Sequence, residues 1–302
     1  GRMFPISDNS QTVIDCLLDE CKKLNIKIKT KTSVDSISKT ETGFLLRIKG
    51  TDTIDCDKVI VATGGHNKLV SFRWLADLGH SISEPVPSLF TFNIEDERIK
   101  DIPGVVAKDV AIKVLDTHLY SEGPLLITHW GMSAPSILKL SAFGALELAK
   151  CGYKFKIEVN FIKHAFENCL ETLKVLKQDL AKKAVFTSTQ FGIPKRLWHK
   201  LVLASHMNTE TRWADLNKQQ LEDLASQLTQ AVFKVDGKST FKEEFVTAGG
   251  INLKEINFKT FESKRIPNLY FAGEVINVDA VTGGFNFQNA WTGAYIVAQN
   301  IV

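Results

Sequence analysis

The sequence predicts an α/β fold: a parallel-stranded core interrupted in its middle by a β-rich segment and a helical one. Three observations carry this reading. Two apolar runs, Val59-Ile-Val-Ala-Thr-Gly-Gly65 and Leu269-Tyr-Phe-Ala-Gly-Glu274, each stop abruptly at glycine, as buried parallel strands do where their carboxyl ends meet a loop. The second run leads through Gly283-Gly284 into apolar residues at helical spacing, Ala290, Ala294, Val297, Ala298 and Ile301. Between Pro85-Val-Pro87 and Thr247-Ala-Gly-Gly250 the pattern changes, first to short alternating segments and then to helical periodicity.

Taken from the amino end, Ser7 or Asp8 can cap a helix carrying Val13, Ile14, Leu17, Leu18, Cys21 and Leu24 at helical spacing, and this face is expected to pack against the sheet. Ile26 and Ile28 alternate with Lys27 and Lys29 as in a half-exposed strand continued by Val34 and Ile37. Phe44, Leu46 and Ile48 then return after the turn at Thr42-Gly43. Within the interruption, Leu89–Phe92, Val110–Val114, Leu125–Thr128 and Phe155–Phe161 suit a small sheet or barrel, whereas Leu170, Leu173, Leu176, Leu180, Leu221, Leu224 and Leu228 suit packed helices. The expected organisation is an α/β core of residues 1–87 and 246–302, a β-rich domain of 88–163 and 233–245, and a helical subdomain of 164–232.

The chemistry sits at the glycines. Gly283-Gly284 carries no Cβ to hold off a flat ligand, and the first amide N–H groups of the following helix have no intrahelical partners, so they attract negative charge. A flavin needs that arrangement, because its reduction places negative charge on one edge of the ring. Glu274 would then suit the ribityl hydroxyls. The bland alternative is a strand-to-helix turn whose glycines merely permit close packing.

Composition narrows the classes. The chain has 302 residues, 44% of them hydrophobic and 24% charged, enough for a large core. Its net charge of +3, with lysines scattered rather than massed, gives no reason to expect nucleic acid or an anionic membrane as partner. Five cysteines without a C-x-x-C pair argue against a disulfide framework or a zinc site and favour a reducing, cytoplasmic setting. No apolar run approaches the roughly 18 residues of a membrane span. His199 and His206 lack a third ligand for a metal, and Gly131-Met-Ser-Ala-Pro135 lacks the last glycine of a nucleophile elbow.

The closing stretch resembles that of the YhiN-like family of FAD-dependent oxidoreductases, also called aminoacetone-oxidase-like or BaiN-like. There the pattern is approximately L-Y-F-A-G-E-x-x-D-x-D-G-x-T-G-G-[YF]-N-x-Q-x-A; this chain departs from it at Asn277 and Ala280. Thr247–Ile251, Glu262–Lys264, Pro267, the opening Gly1-Arg-Met-Phe-Pro5 and Ile193–Leu197 match as well. So does Thr128-His-Trp-Gly-Met-Ser-Ala-Pro135, where Ala134 replaces a usual glycine. The resemblance implies an FAD/NAD(P)-binding Rossmann-like core with inserted β-barrel-like and helical subdomains. It also implies hydride passing between FAD and a small organic substrate or NAD(P)H.

On this reading Val34, Thr63, Gly64, Gly65, Gly273, Glu274, Asp279, Gly283, Gly284, Phe285, Asn286 and Gln288 bind the cofactor. His129 moves a proton and Trp130 flanks a flat ring, unless His129 simply caps the next helix. The G-x-G-x-x-G unit that precedes Gly-Arg-x-Phe-Pro in the family is not found in the chain, so a truncated member is expected, one that binds FAD weakly and associates with a second copy through an uncovered sheet edge. The other reading is a cofactor-free remnant or scaffold that keeps these turns only to form the fold.

Overall fold

The structure, a computed structural model, describes residues 3–50, 52–239 and 246–301. Gly1 and Arg2 of the opening motif, and residues 240–245 of the expected β-rich domain, lie outside the described residues. The chain divides into two compact units. The first comprises Gly1–Glu84, Gly249–Val278 and Gly283–Val302; the second comprises Pro85–Ala248 and Asp279–Thr282.

In the first unit, Val34–Lys39, Phe44–Ile48 and Thr53–Cys56 form an antiparallel meander. A four-stranded sheet runs Ile256–Asn257, Glu262–Ser263, Leu269–Phe271 and Val59–Val61, and its last two strands are parallel, with Leu269 opposite Val59 and Phe271 opposite Val61. Val59, Val61, Leu269, Phe271, Val275, Ile276 and Val297 share one core with Phe72 and Leu75. Ile60, expected inside, is 47% exposed, because its strand stands at the edge of this sheet and only one face is covered.

Two expectations near the amino end fail. The helix Gln11–Lys23 forms, but none of its residues is buried, and Val13, Ile14, Leu17 and Leu18 face outward. Periodicity created the apolar stripe; nothing among the described residues buries it. The N-cap is Ser10, without a side-chain cap; Ser7 Oγ instead meets Thr12 Oγ1 at 2.5 Å. Ile26 and Ile28 are exposed and belong to no strand, which begins only at Val34. Alternation over four residues is too short a signal to outweigh the absence of a pairing partner.

A buried polar network holds this unit together. Glu255 accepts from His80 Nδ1 at 3.1 Å, the Ser81 amide at 3.0 Å and Arg265 Nη2 at 2.6 Å, while Ser263 Oγ meets His80 Nε2 at 3.2 Å. His80 also packs edge-on against Phe271. Burial alone would raise the Glu255 carboxyl, but hydrogen bonds from Arg265, Ser81 and His80 outweigh it and hold the group at about 2.

The second unit is built on a seven-stranded sheet. Its order is Ala231–Asp236, Lys154–Asn160, Val106–Val114, Tyr120–Ile127, Gly131–Ser133, Thr91–Asn93 and Lys238–Ser239, with antiparallel neighbours. Helices Pro135–Phe143 and Ala145–Lys150 interrupt what the sequence reads as β-rich, because Ile137, Leu140 and Ser141 return to one buried face at helical spacing. Helices Phe166–Asp179, Lys195–Ala204 and Lys218–Thr229 follow, the last begun by a reciprocal Asn217–Gln220 capping box. Sheet and helices share one hydrophobic core through Val110, Ile112, Phe233, Leu173, Trp198, Leu224 and Leu228. Among the described residues no helix is long and apolar enough to cross a membrane.

Candidate functional site

The parallel pair brings two of the sequence motifs together. Ala272 N donates to Val61 O at 3.0 Å, so Thr63-Gly64-Gly65 and Gly273-Glu274 leave the same carboxyl edge of the sheet. Ligands of open α/β sheets gather at such an edge. The helix Phe285–Asn300 opens on Gly284, its N-cap, at φ +89°, and its first internal bond runs from Gln288 N to Gly284 O at 2.9 Å. The first amides of this helix precede its hydrogen-bonded ladder, the position at which a helix attracts an anion or a developing negative charge.

Whether these residues fit a flavin is answered by the space around the glycines. A Cβ built at Gly64 or Gly284 meets no heavy atom within 4 Å, whereas one at Gly273 would stand 3.6 Å from Ala290 Cβ. Gly273 packs against the helix; Gly64 and Gly284 face open space. That open space is compatible with a flat ring lying against the two glycines. Glu274, half-buried in the short turn Gly273–Val275, stands at the same sheet edge.

Two further residues predicted for the cofactor have these places in the fold. Val34 begins the separate antiparallel meander and is 46% exposed. Asp279 belongs to the second unit, where its Oδ2 accepts from the fully buried Ser88 Oγ at 2.7 Å. Neither residue type nor local pattern marks Ser88 in the sequence; it lies 191 positions away from its partner.

His129 and Trp130 occupy the tip of the hairpin joining Tyr120–Ile127 to Gly131–Ser133, closed by Thr128 N donating to Gly131 O at 2.8 Å. Gly131 is required there: at φ +151° an added Cβ would lie 2.0 Å from Phe92 O and 2.7 Å from Ile94 N. His129 does not cap the next helix. That N-cap is Ala134, without a side-chain hydrogen bond. His129 and Trp130 instead line a cleft of about 850 Å³ in the second unit, shared with Ile94, Glu95, Asp101 and Arg196. Arg196 reaches across to the carbonyls of Asp101 and Pro103, at 2.6 and 3.4 Å. Read from sequence, Ile193–Leu197 needs no more than a helix start at Pro194; the side chain reveals a wall of the cleft.

Ala134 explains a departure in the motif. It sits at φ +80°, ψ 174°, a region essentially reserved for glycine and costing other residues about 1 to 3 kcal/mol. Ala134→Gly is therefore expected to stabilise the second unit by about 1 kcal/mol after glycine's larger unfolded-state entropy is set against the relieved strain. A denaturant midpoint that stays the same or falls would show that the strain is not there.

The HI0933-like protein Rossmann domain matches residues 1–300. The chain belongs to the HI0933-like family. A ribosomal RNA dihydrouridine synthase of Escherichia coli is 28% identical to this HI0933-like chain over 312 residues, covering 100% of the chain and 74% of that protein. A 3-dehydro-bile acid delta(4,6)-reductase of Clostridium scindens is 27% identical over 310 residues, 99% of the chain and 75% of that protein. A second ribosomal RNA dihydrouridine synthase, of Haemophilus influenzae, is 26% identical over 313 residues, 100% of the chain and 75% of that protein. The family and the reductase relative support a flavoprotein oxidoreductase with a Rossmann-type core, in line with the resemblance of the motifs.

Proposed function

We propose that the protein is an FAD-dependent reductase that adds hydride and a proton across a carbon–carbon double bond conjugated to a carbonyl in a small organic molecule. The observation that carries this is the open face at Gly64 and Gly284 on the shared carboxyl edge of two parallel strands, beside a helix start. FAD bound there supplies a carrier of two electrons, renewed by NAD(P)H. The amides of Phe285 and Asn286 offer fixed donors to negative charge on the ring edge. Thr63 and Gly65 border the ring, Glu274 takes the ribityl hydroxyls, and Gln288 lies in the first helical turn. From the resemblance of Thr128–Pro135 to the family motif, His129 is assigned the proton and Trp130 an apolar face for a flat substrate.

The conjugated double bond is suggested by the relatives' names. A dihydrouridine product and a delta(4,6)-reduction of a 3-dehydro compound both describe saturation of an unsaturated carbonyl system. A small substrate is favoured over RNA by charge. The cleft at His129 is lined by Glu95, Asp96, Glu97, Asp101 and Asp236 against Lys100 and Arg196, whereas a phosphate backbone needs a cationic track. The second reading, ribosomal RNA as substrate, has the names of two relatives in its favour.

One experiment separates them. The FAD-loaded protein is reduced anaerobically and mixed with a 3-oxo-4,6-diene steroid acid or with uridine-containing ribosomal RNA, and flavin reoxidation is followed by absorbance. Reoxidation by the small molecule is expected. Reoxidation by RNA alone would replace the small-molecule reading, and none by either would remove the reductase. In the same assay His129→Ala is expected to slow reoxidation roughly a hundredfold, as loss of a general acid does, with little loss of bound FAD. An unchanged rate would leave His129 as part of the cleft wall only.

A further inference from the structure

We propose that Arg196 is a specificity-determining residue of the His129 cleft, holding the carboxylate of an acidic substrate; the inference rests on the reading of that cleft as the substrate site. Every group involved belongs to the second unit. Arg196 is the second residue of the helix Lys195–Ala204, and two backbone carbonyls aim its guanidinium: Nη2 donates to Asp101 O at 2.6 Å and Nη1 to Pro103 O at 3.4 Å. Those carbonyls stand in a turn that is itself fixed. Asp101 and Gly104 lie at φ +64° and +82°. Gly104 N donates to Ile127 O at 2.9 Å, and Ile127 N donates to Val105 O at 2.9 Å. Ile127 ends the strand from which Thr128 and His129 follow. The guanidinium is thus tied to the same strand end as His129, and both line one cleft of about 850 Å³.

The two carbonyls use one hydrogen on each Nη, leaving the Nε hydrogen and the second hydrogen of each Nη. A planar fork of this kind meets a planar carboxylate with two parallel hydrogen bonds, which an ammonium group cannot do. The other cation lining the cleft, Lys100, is already engaged by Glu97 at 2.7 Å. Among the described residues no ion pair joins Arg196 to a carboxylate: Asp96 is taken by Arg98 at 2.7 Å and Asp236 by Lys154 at 3.0 Å. Glu95 and Asp101, also in the lining, oppose any further negative charge. The cleft therefore suits a single carboxylate on a single fork and disfavours a doubly charged phosphate.

The test compares a 3-oxo-4,6-diene steroid acid with its methyl ester, by calorimetric binding to the whole chain and by reoxidation of the reduced FAD-loaded protein. The acid is expected to bind about tenfold or more tightly than the ester, as a charge-assisted contact provides. Arg196→Met should abolish that preference and leave ester affinity unchanged, while Arg196→Lys should keep part of it, as a point charge without the fork does. Equal binding of acid and ester by the wild type, binding of neither, or a preference that survives Arg196→Met would overturn the proposal. Loss of acid and ester binding alike in Arg196→Met would also overturn it, leaving Arg196 as a brace of the Asp101–Gly104 turn. Reoxidation by both compounds at equal KM would overturn the anchor and leave the reductase standing. A preference removed by Arg196→Met, in a protein whose reduced flavin neither compound reoxidises, would uphold the anchor and overturn the reductase.

Discussion

Glu255→Ala is expected to cost the fold about 1 to 3 kcal/mol, the range for leaving buried donors without their acceptor, here His80 Nδ1 and the Ser81 amide, while Arg265 is half exposed and can turn to water. Glu255 is 8% exposed and receives three hydrogen bonds, from His80, the Ser81 amide and Arg265. Its loss leaves the His80 ring, 3% exposed, with Ser263 on one side and no carboxylate on the other. The anchoring also spans the sequence: His80 precedes the Ile82–Ser88 strand, and Arg265 precedes the parallel strand Leu269–Phe271. A drop of this size in unfolding free energy, measured by denaturant, is the expected result; a change below about 1 kcal/mol would show that solvent substitutes for the network.

The same network makes stability depend on pH in a definite direction. Burial lowers His80 below its ordinary 6.5 despite the opposing pull of Glu255, so the unfolded chain takes up that proton first as pH falls below about 6.5. Glu255 sits at about 2 against an ordinary 4.5. Its contribution is complete above about 4.5 and is lost as pH falls towards 2, an amount of roughly 3 kcal/mol by linkage. Both shifts remove stability on acidification. The difference between wild type and Glu255→Gln should accordingly be largest near neutral pH and shrink below about 4.5; a difference that stays constant through that window would contradict the assignment.

Gly284→Leu is expected to abolish FAD retention while leaving both hydrophobic cores intact. Gly284 is the N-cap of its helix at φ +89°, and the position of its absent Cβ has no protein atom within 4 Å. The side chain would therefore enter the space assigned to the ring and meet no core residue. Left-handed backbone costs a non-glycine residue about 1 to 2 kcal/mol, which the fold should survive. Gly284→Ala separates the two effects, because it carries the strain with far less bulk. A loss of affinity of two or more orders of magnitude for leucine, and a smaller one for alanine, is the expected series in flavin titration. Normal flavin content in a folded Gly284→Leu protein would remove this turn from the cofactor site.

Several elements were legible without coordinates because their signals are local. Val59–Val61 and Leu269–Phe271 are short, apolar and ended by glycine, and the helix from Phe285 shows its period and its glycine start. Hydrophobic periodicity and glycine placement constrain the backbone over a few residues, so such elements can be read in sequence. The same local rule misled where tertiary partners decide. The apolar stripe of Gln11–Lys23 is real but unburied, and the alternation at Ile26 and Ile28 never pairs.

The sequence by itself determined the glycine turns and the helix that follows them, since each depends on neighbours within about ten positions. Only the tertiary structure decided that Thr63–Gly65 and Gly273-Glu274 leave one sheet edge and that Arg196 walls the His129 cleft. It alone joined Ser88 to Asp279 and His80 to Glu255 across 191 and 175 positions. The physical reason is that a buried polar group must find a partner, but nothing in its residue type says where along the chain that partner stands. Chain topology brings them together, and strand pairing fixes which of many serines and carboxylates meet.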